Sequence, residues 1–225
     1  MSAGVTLLVI AKSPIAGFAK TRLTPPLTPH EAACLAAASL LDTLDSVRRA
    51  EVDHRVVAFT GDLWRAERGR EVARALGEFE VVPQRGADFG TRLANAHADA
   101  ARFGGAVLQI GMDTPQIGPD VLSAAARRLE IGDAALLGPA EDGGWWALGL
   151  PTPQPAAVLP RVPMSTPRTG ELTREAMRRC GYRVVDLPRF RDVDTFADAT
   201  DVAARSNGRF ARTVHDALER LAVMR

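Results

Sequence analysis

Residues 105–118 read Gly-Ala-Val-Leu-Gln-Ile-Gly-Met-Asp-Thr-Pro-Gln-Ile-Gly, and this stretch decides the fold. Its mostly apolar run, Ala106–Ile110, predicts a central strand that is buried on both faces. A small residue, an acid and a proline then end the run, so Asp113 lies where the strand leaves the sheet. Ligands of open α/β sheets bind at this edge, which makes Asp113 a candidate ligand residue. The alternative is that Asp113 only closes a turn before Thr-Pro.

Length and charge limit the class of protein. The 225 residues contain no Ser/Gly linker and no charge block, so we expect one domain spanning residues 1–225. A net charge of +1 argues against a nucleic-acid or membrane-surface binder. The first apolar run is too short for a signal peptide or a membrane span, which predicts a soluble, cytoplasmic protein. Cys34 and Cys180 form no metal-type or redox-type pair and are expected to be ordinary packing residues.

Strands and helices alternate four times between Val5 and about Glu130. Each unit is roughly 25 to 30 residues long, which predicts a mainly parallel sheet with right-handed crossovers. The clearest helix signal is Thr28-Pro29-His30-Glu31, a capping box with proline at the first helical position. Later the alternation breaks, because a strand near 133–138 is followed by a tight turn and a second strand with no helix between them.

The first strand opens into a cationic loop, Ala11–Leu23. It carries Lys12, Lys20 and Arg22, and these two lysines are the only ones among the 28 basic residues of the chain. A glycine-bearing, cationic loop after the first strand of an α/β sheet suits phosphate binding. The spacing is not that of a Walker loop, and a solvated surface loop is the alternative interpretation.

Two further polar segments follow strands. The first, 84–90, contains Gly86 and Asp88, of which Asp88 is either part of a site or the cap of the next helix. The second reads Glu141-Asp142-Gly143-Gly144-Trp145-Trp146. Carboxylates accept hydroxyl hydrogen bonds and indoles offer flat apolar faces, which suits a sugar or a nucleoside. The alternative is a hairpin turn with two buried tryptophans.

Two later segments complete the candidate site. Residues 151–167 hold six prolines and few apolar anchors, which predicts an irregular lid over the site. Further on, Asp192 and Asp194 point the same way if the segment is extended. They could then form a metal site with Asp113, because a hard divalent cation prefers several oxygen ligands. Alternatively, they only precede a helix that starts near Phe196.

Taken together, four motifs resemble the glycosyltransferase-like family DUF2064 of the nucleotide-diphospho-sugar transferase (GT-A) superfamily. The motifs are Ser-Pro-Ile-Ala-Gly-Phe-Ala-Lys-Thr-Arg-Leu, Gly-Met-Asp-Thr-Pro, Glu-Asp-Gly-Gly-Trp-Trp and Asp-Val-Asp-Thr, in this order. The first loop also resembles that of phospholactate guanylyltransferases. The resemblance implies an α/β, Rossmann-like three-layer sandwich with a mainly parallel mixed sheet, Mg²⁺ or Mn²⁺ as cofactor, and transfer of a group from an activated nucleotide to a small-molecule acceptor.

The resemblance also assigns roles by position. Lys12, Lys20 and Arg22 would hold phosphates, with Lys20 and Asp113 catalytic, and Asp113 and Asp194 would bind the metal. Substrate would be bound by the remaining positions: Gly86, Asp88, Glu141, Asp142, Gly143, Gly144 and Trp145. One acid replaces the Asp-x-Asp of many glycosyltransferases, and the Gly-x-Gly-Thr-Arg loop of sugar nucleotidyltransferases is absent. Glycosyl transfer from a nucleotide sugar is therefore the first hypothesis, nucleotidyl transfer from a nucleoside triphosphate the second, and a non-catalytic nucleotide-binding module the third.

Overall fold

The computed structural model describes residues 4–103 and 105–223. These residues form seven strands and seven α-helices, which include all major elements expected from the sequence. The strands are β1 Val5–Lys12, β2 His54–Thr60, β3 Glu80–Pro83, β4 Ala106–Gly111, β5 Ala135–Pro139, β6 Trp145–Leu150 and β7 Val184–Asp186. The helices are α1 Pro29–Arg49, α2 Gly69–Leu76, α3 Phe89–Ala100, α4 Pro119–Glu130, α5 Thr169–Arg179, α6 Phe196–Ala203 and α7 Arg209–Val223.

All seven strands form one mixed sheet in the order β3-β2-β1-β4-β6-β5-β7. Only β6 runs antiparallel, and it pairs with β4 on one side and β5 on the other. The antiparallel element expected from the sequence is thus an inner strand of the sheet. The chain builds outward from β1 to β3 and then returns to the other side of β1 with β4. This reversal creates the crevice where ligands of open α/β sheets bind, between the carboxyl ends of β1 and β4.

Apolar side chains cover both faces of the sheet, which confirms the three-layer α/β architecture. On one face α1, α2 and α4 bury residues such as Leu44, Val72 and Leu122 against the strands. On the other, α3, α5 and a 3₁₀ segment, Gln154–Arg161, do the same with Leu93 and Met177. Buried β4 carries apolar side chains toward both layers, as expected for a parallel strand covered by helices.

Helix α1 is buried on two sides, which explains its alanine-rich sequence. It begins with the expected capping box, in which Thr28 accepts from the Glu31 backbone and Glu31 accepts from the Thr28 backbone. One side of the helix faces the sheet, and the other packs against α6 and α7 in a third apolar cluster that includes Leu23 and Val193. Both of these residues belong to segments that carry candidate site residues, so this cluster anchors the site to α1.

The expected lid at 151–167 was wrong. Its 3₁₀ segment packs against α3, and Leu159 is fully buried in the core of that face. Gly90 on α3 lies so close to the Leu159 carbonyl that an added Cβ would approach it to 2.5 Å. The prolines therefore shape a fixed covering of the sheet. Within residues 4–103 and 105–223, no helix is long and apolar enough to cross a bilayer.

Candidate functional site

The first loop and Asp113 meet at the crevice between β1 and β4. These two strands run parallel and in register, with Ile10 beside Gly111 near their carboxyl ends. The loop after β1 then folds back toward the residues that follow β4. Both the cationic loop and the strand-end acid therefore lie on the same edge of the sheet, as the sequence predicts.

Lys20 joins two acids that are far apart in the sequence. Its ammonium nitrogen lies 3.0 Å from Asp113 Oδ1 and 3.8 Å from Asp194 Oδ1, and it also donates to the Val193 backbone carbonyl. The Lys20 side chain is 8% exposed, whereas the acids are 43% and 36% exposed. An ammonium is a compact point charge with three donors, which suits this position between two carboxylates and a carbonyl.

Three carboxylates form a cluster beside this lysine. Oxygen atoms of Asp142, Asp192 and Asp194 all lie within 4.8 Å of one another. Asp113 is joined to the cluster through the shared contact of Lys20 with Asp194. Asp192 thus accompanies Asp194, and Asp142, which was assigned to the substrate pocket from the sequence, belongs to the same acidic cluster.

Backbone hydrogen bonds hold the segment 189–195 against two strand ends. The Val193 N–H donates to the Asp113 carbonyl at 3.0 Å, and the Glu141 N–H donates to the Phe190 carbonyl at 3.1 Å. Arg189 also donates from its guanidinium to the Ala140 carbonyl at 3.1 Å. This extended segment therefore brings Asp192 and Asp194 to the ends of β4 and β5, where Asp113 and Asp142 lie.

Burial and nearby carboxylates both act on Asp192. Burial raises the pKa of the Asp192 carboxyl to about 6, and the nearby carboxylates of Asp142 and Asp194 add to the rise. Lys20 lowers this pKa but does not cancel the effect. Asp192 therefore binds a proton more strongly than an exposed aspartate does.

A tight turn positions Asp142. Its Oδ1 accepts a hydrogen bond from the Gly144 N–H at 2.7 Å, and Gly143 adopts a φ of +88°. The Gly143 carbonyl accepts from the Gly170 N–H at 2.8 Å, and an added Cβ on Gly143 would overlap the Pro167 carbonyl. Both glycines thus have a local geometric role in presenting the acid.

Glu141 points to a different partner from Asp142. Its carboxylate forms an ion pair with Arg191 at 2.6 Å. The same guanidinium also contacts Asp198 at 3.4 Å and Asp201 at 2.7 Å. Glu141 therefore ties the turn to α6 through Arg191.

The two tryptophans lie on opposite faces of the sheet. Trp146 is 3% exposed and packs with the α1 side, where its indole N–H donates to the Pro188 carbonyl at 2.9 Å. Trp145 packs with the α5 side and donates to Thr173 Oγ1 at 3.1 Å. Consecutive strand residues face opposite sides, so the pair cannot form one stacking surface. The structure favours the hairpin interpretation of these residues.

Gly86 and Asp88 lie after β3 on the same edge of the sheet. Asp88 caps α3, since its carboxylate accepts from the Thr91 N–H at 2.8 Å and from the Thr91 hydroxyl at 2.7 Å. These bonds lower the pKa of Asp88. Gly86 has a φ of +140°, and a side chain there would crowd Thr91 and Arg92. The capping alternative for Asp88 is therefore observed.

Two cations remain accessible near the acids. Lys12 is exposed at the end of β1, and within the part of the chain that the structure describes its ammonium has no ion-pair partner. Arg22 is 73% exposed and contacts Asp194 Oδ2 at 2.8 Å through one of its nitrogens. Both side chains can therefore reach an anion that approaches the crevice.

The donor set fits a hard divalent cation. Carboxylate oxygens are the ligands that Mg²⁺ and Mn²⁺ prefer, and the cluster supplies three of them from two segments of chain. A divalent cation bound here would also stabilise the ionised form of Asp192, whose pKa is raised mainly by burial and further by Asp142 and Asp194. The residues present therefore suit the metal that the fold implies.

An α/β sheet with this strand order, and with acids and lysines at its reversal point, is a fold of the nucleotide-diphospho-sugar transferase type. The chain belongs to the family described as "Uncharacterized protein conserved in bacteria (DUF2064)", whose model matches residues 43–166. That range includes Asp113 and Asp142. The first loop and the segment with Asp192 and Asp194 lie outside it. No curated protein matches the chain significantly.

Solved structures share the fold over nearly the whole chain. One is a Desulfovibrio desulfuricans G20 protein that is assigned as a nucleotide-diphospho-sugar transferase. It is 27% identical to this chain, and the two structures align with a TM-score of 0.82 over 99% of this chain and 96% of the Desulfovibrio chain. A nucleotidyl transferase from Methanothermobacter thermautotroptrophicus is 19% identical, with a TM-score of 0.60 over 93% and 99%. A cytidylyltransferase from Leptospira borgpetersenii is 15% identical, with a TM-score of 0.57 over 97% and 95%. The last two support the fold alone.

Proposed function

We propose that this protein is a metal-dependent transferase that acts on an activated nucleotide. The observation that carries the proposal is the meeting of Lys20, Asp113 and Asp194 beside the carboxylates of Asp142 and Asp192. These groups lie at the crevice where α/β sheets of this type bind ligands. The 27% identical relative and its assigned transferase role support the same class of activity.

The acidic cluster would hold Mg²⁺ or Mn²⁺. Asp142, Asp192 and Asp194 would supply ligands, and Asp113 lies next to them, joined to Asp194 through Lys20. A bound divalent cation would stabilise the negative charge that develops on phosphate oxygens during transfer. Three acids next to one another disfavour the metal-free state, so metal binding also relieves repulsion.

The cations of the first loop would bind the phosphates. Lys12 has no competing carboxylate among the described residues, and Arg22 keeps further guanidinium N–H groups free of Asp194. Lys20 has a different role, because its ammonium is buried and fixed between two acids. It orients Asp113 and Asp194 and limits their repulsion before substrate arrives. Phosphoryl-group chemistry of this kind requires alignment and charge neutralisation more than covalent catalysis.

Nucleotidyl transfer from a nucleoside triphosphate is the reaction that this geometry favours. Glycosyl transfer was the first hypothesis from the sequence, in part because paired tryptophans suit sugar binding. Trp145 and Trp146 lie on opposite faces of the sheet, so that argument no longer holds. Glycosyl transfer from a nucleotide sugar stays the second candidate, because of the assigned role of the Desulfovibrio relative.

One pair of assays distinguishes the two reactions. The protein is incubated with Mg²⁺, a panel of nucleoside triphosphates and phosphorylated acceptors, and pyrophosphate release is measured. In parallel, nucleotide sugars are supplied and their cleavage is measured. We expect pyrophosphate release that requires Asp113 and is lost in Asp113→Asn. Cleavage of a nucleotide sugar alone would support glycosyl transfer, and nucleotide binding without either reaction would support a non-catalytic module.

A further inference from the structure

A second group of metal-ligating side chains lies outside the acidic cluster. His30 and Cys34 are four residues apart on α1, so they share one face of the helix. Glu67 reaches them from the segment between β2 and α2. One ring nitrogen of His30, the Cys34 sulfur and a Glu67 oxygen all lie within 4.8 Å of one another. We propose that His30, Cys34 and Glu67 form a binding site for Zn²⁺.

The three side chains lie close enough together to share a metal ion. Typical Zn–N, Zn–O and Zn–S lengths of about 2.0 to 2.3 Å put tetrahedral ligand atoms roughly 3 to 4 Å apart. Here His30 Nδ1 lies 2.9 Å from Glu67 Oε1, His30 Nε2 lies 3.7 Å from Cys34 Sγ, and Cys34 Sγ lies 4.0 Å from Glu67 Oε2. These distances join different atoms of His30 and Glu67, but one ligand atom of each of the three residues can be chosen so that all three lie within 4.8 Å of one another.

The ligand types select a different metal from the acidic cluster. A thiolate, an imidazole and one carboxylate suit Zn²⁺, whereas Mg²⁺ prefers oxygen ligands only. Three protein ligands leave a fourth position for water, as in open zinc sites. We therefore expect the acidic cluster to bind hard cations such as Mg²⁺, and the site at His30, Cys34 and Glu67 to bind the borderline cation Zn²⁺.

The site is open to solvent on one side. His30 is 66% exposed and Glu67 26% exposed, so the ion can enter from solvent.

A metal ion at this site would also stabilise the position of the first loop. Glu67 donates its backbone N–H to the Pro14 carbonyl at 2.9 Å, and Ser13 donates its hydroxyl to the Asp62 carbonyl at 2.7 Å. A metal that links Glu67 to α1 therefore fixes the segment against which the start of the cationic loop packs. This coupling is independent of the reaction proposed for the acidic cluster.

Cobalt provides a direct test, because Co²⁺ bound by a thiolate absorbs in the near ultraviolet. The reduced full-length protein is titrated with Co²⁺ in the presence of excess Mg²⁺. We expect a thiolate–Co²⁺ band that saturates at one equivalent and is abolished by Zn²⁺. Cys34→Ser should remove the band, and the matched control Cys180→Ser, at the exposed second thiol, should retain it.

Two further variants keep the test informative if Cys34→Ser folds poorly. His30→Gln and Glu67→Gln change exposed or half-exposed side chains and should each weaken Zn²⁺ binding at least about tenfold. Absence of the band in the unsubstituted protein would overturn the proposal, as would its loss in Cys180→Ser with retention in Cys34→Ser. Unchanged Zn²⁺ affinity in both His30→Gln and Glu67→Gln would also overturn it.

Discussion

The Val193 N–H donates a hydrogen bond of 3.0 Å to the backbone carbonyl of Asp113. This contact fixes the segment that carries Asp192 and Asp194 against the residues that follow β4. Lys20 completes the connection, since it reaches both Asp113 and the Val193 carbonyl. The segment that carries Asp192 and Asp194 is thus held in place by backbone pairing and by the Lys20 side chain.

The two lysines of the chain should behave differently when each is changed to methionine. Lys20→Met removes the cation between Asp113 and Asp194, so the metal-free protein should lose about 1 to 3 kcal/mol of stability. Mg²⁺ should then raise the melting temperature more than it does in the unsubstituted protein. Lys12→Met, at an exposed side chain, should change stability little but weaken nucleotide binding. Equal melting temperatures for both variants in chelator would contradict the role of Lys20.

Asp192→Asn should stabilise the metal-free protein and weaken its response to Mg²⁺. The pKa of Asp192 is raised by burial and by its acidic neighbours, so its ionised form disfavours the metal-free fold near neutral pH. The neutral amide should raise the melting temperature in chelator and reduce the further increase caused by Mg²⁺. Asp120→Asn, on the exposed first turn of α4, is the control and should leave the Mg²⁺ effect unchanged. A variant less stable than the parent in chelator would contradict the repulsion.

Buried His97 should make the fold sensitive to acid. Burial lowers the pKa of His97 from its ordinary value of 6.5 to about 4, and neither ring nitrogen has a hydrogen bond of good geometry within residues 4–103 and 105–223. As the pH falls, His97 binds a proton in the unfolded chain before it does so in the folded protein. The free energy of unfolding is therefore at its full value above pH 6.5 and decreases as the pH falls toward 4. The loss should be about 2 kcal/mol at about pH 5.

Urea unfolding at about pH 7.5 and about pH 5 measures this effect. The unsubstituted protein should lose about 2 kcal/mol more between the two conditions than His97→Leu, which has no group to titrate. Asp192 acts in the opposite direction, because its raised pKa favours the fold on acidification, but it is common to both proteins. The same pH dependence in both would show that His97 is not the source.

Gly143→Ala should be strongly destabilising. The residue has a φ of +88°, and its new Cβ would overlap the Pro167 carbonyl. Left-handed strain and overpacking together should cost about 2 to 4 kcal/mol. Gly17→Ala is the matched control, because Gly17 also has a positive φ, +78°, but nothing lies within 4 Å of the added atom. It should cost only about 1 kcal/mol, and equal losses in urea unfolding would contradict the account of this turn.

Local signals predicted most of the fold. The apolar run of β4, the capping box of α1 and the alternation of strands with helices each depend on residues that are close in sequence. The sheet order and the mixed direction of β6 agree with the class that the motifs indicated. The lid at 151–167 was wrong because proline content does not reveal that Leu159 packs beneath α3.

The site was only partly accessible from the sequence. Lys20 and Asp194 could be selected from their loops, but the cluster depends on hydrogen bonds between segments about 80 residues apart, such as Val193 to Asp113. Asp142 gave no sign of belonging with Asp192, because the turn geometry that presents it arises from contact with residues 167–170. Strand periodicity did contain the signal that Trp145 and Trp146 face opposite ways. The His30–Cys34 spacing was also visible, but its third partner was not.

The most direct test of the central claim is nucleotide binding measured by thermal shift. Nucleoside triphosphates and nucleotide sugars are screened with and without Mg²⁺, because a ligand that binds only the folded state raises the melting temperature. The account predicts a rise with at least one nucleotide that requires Mg²⁺ and is lost in Asp113→Asn and Asp194→Asn, both still folded. A screen without any Mg²⁺-dependent rise, or a rise that persists in both variants, would contradict it.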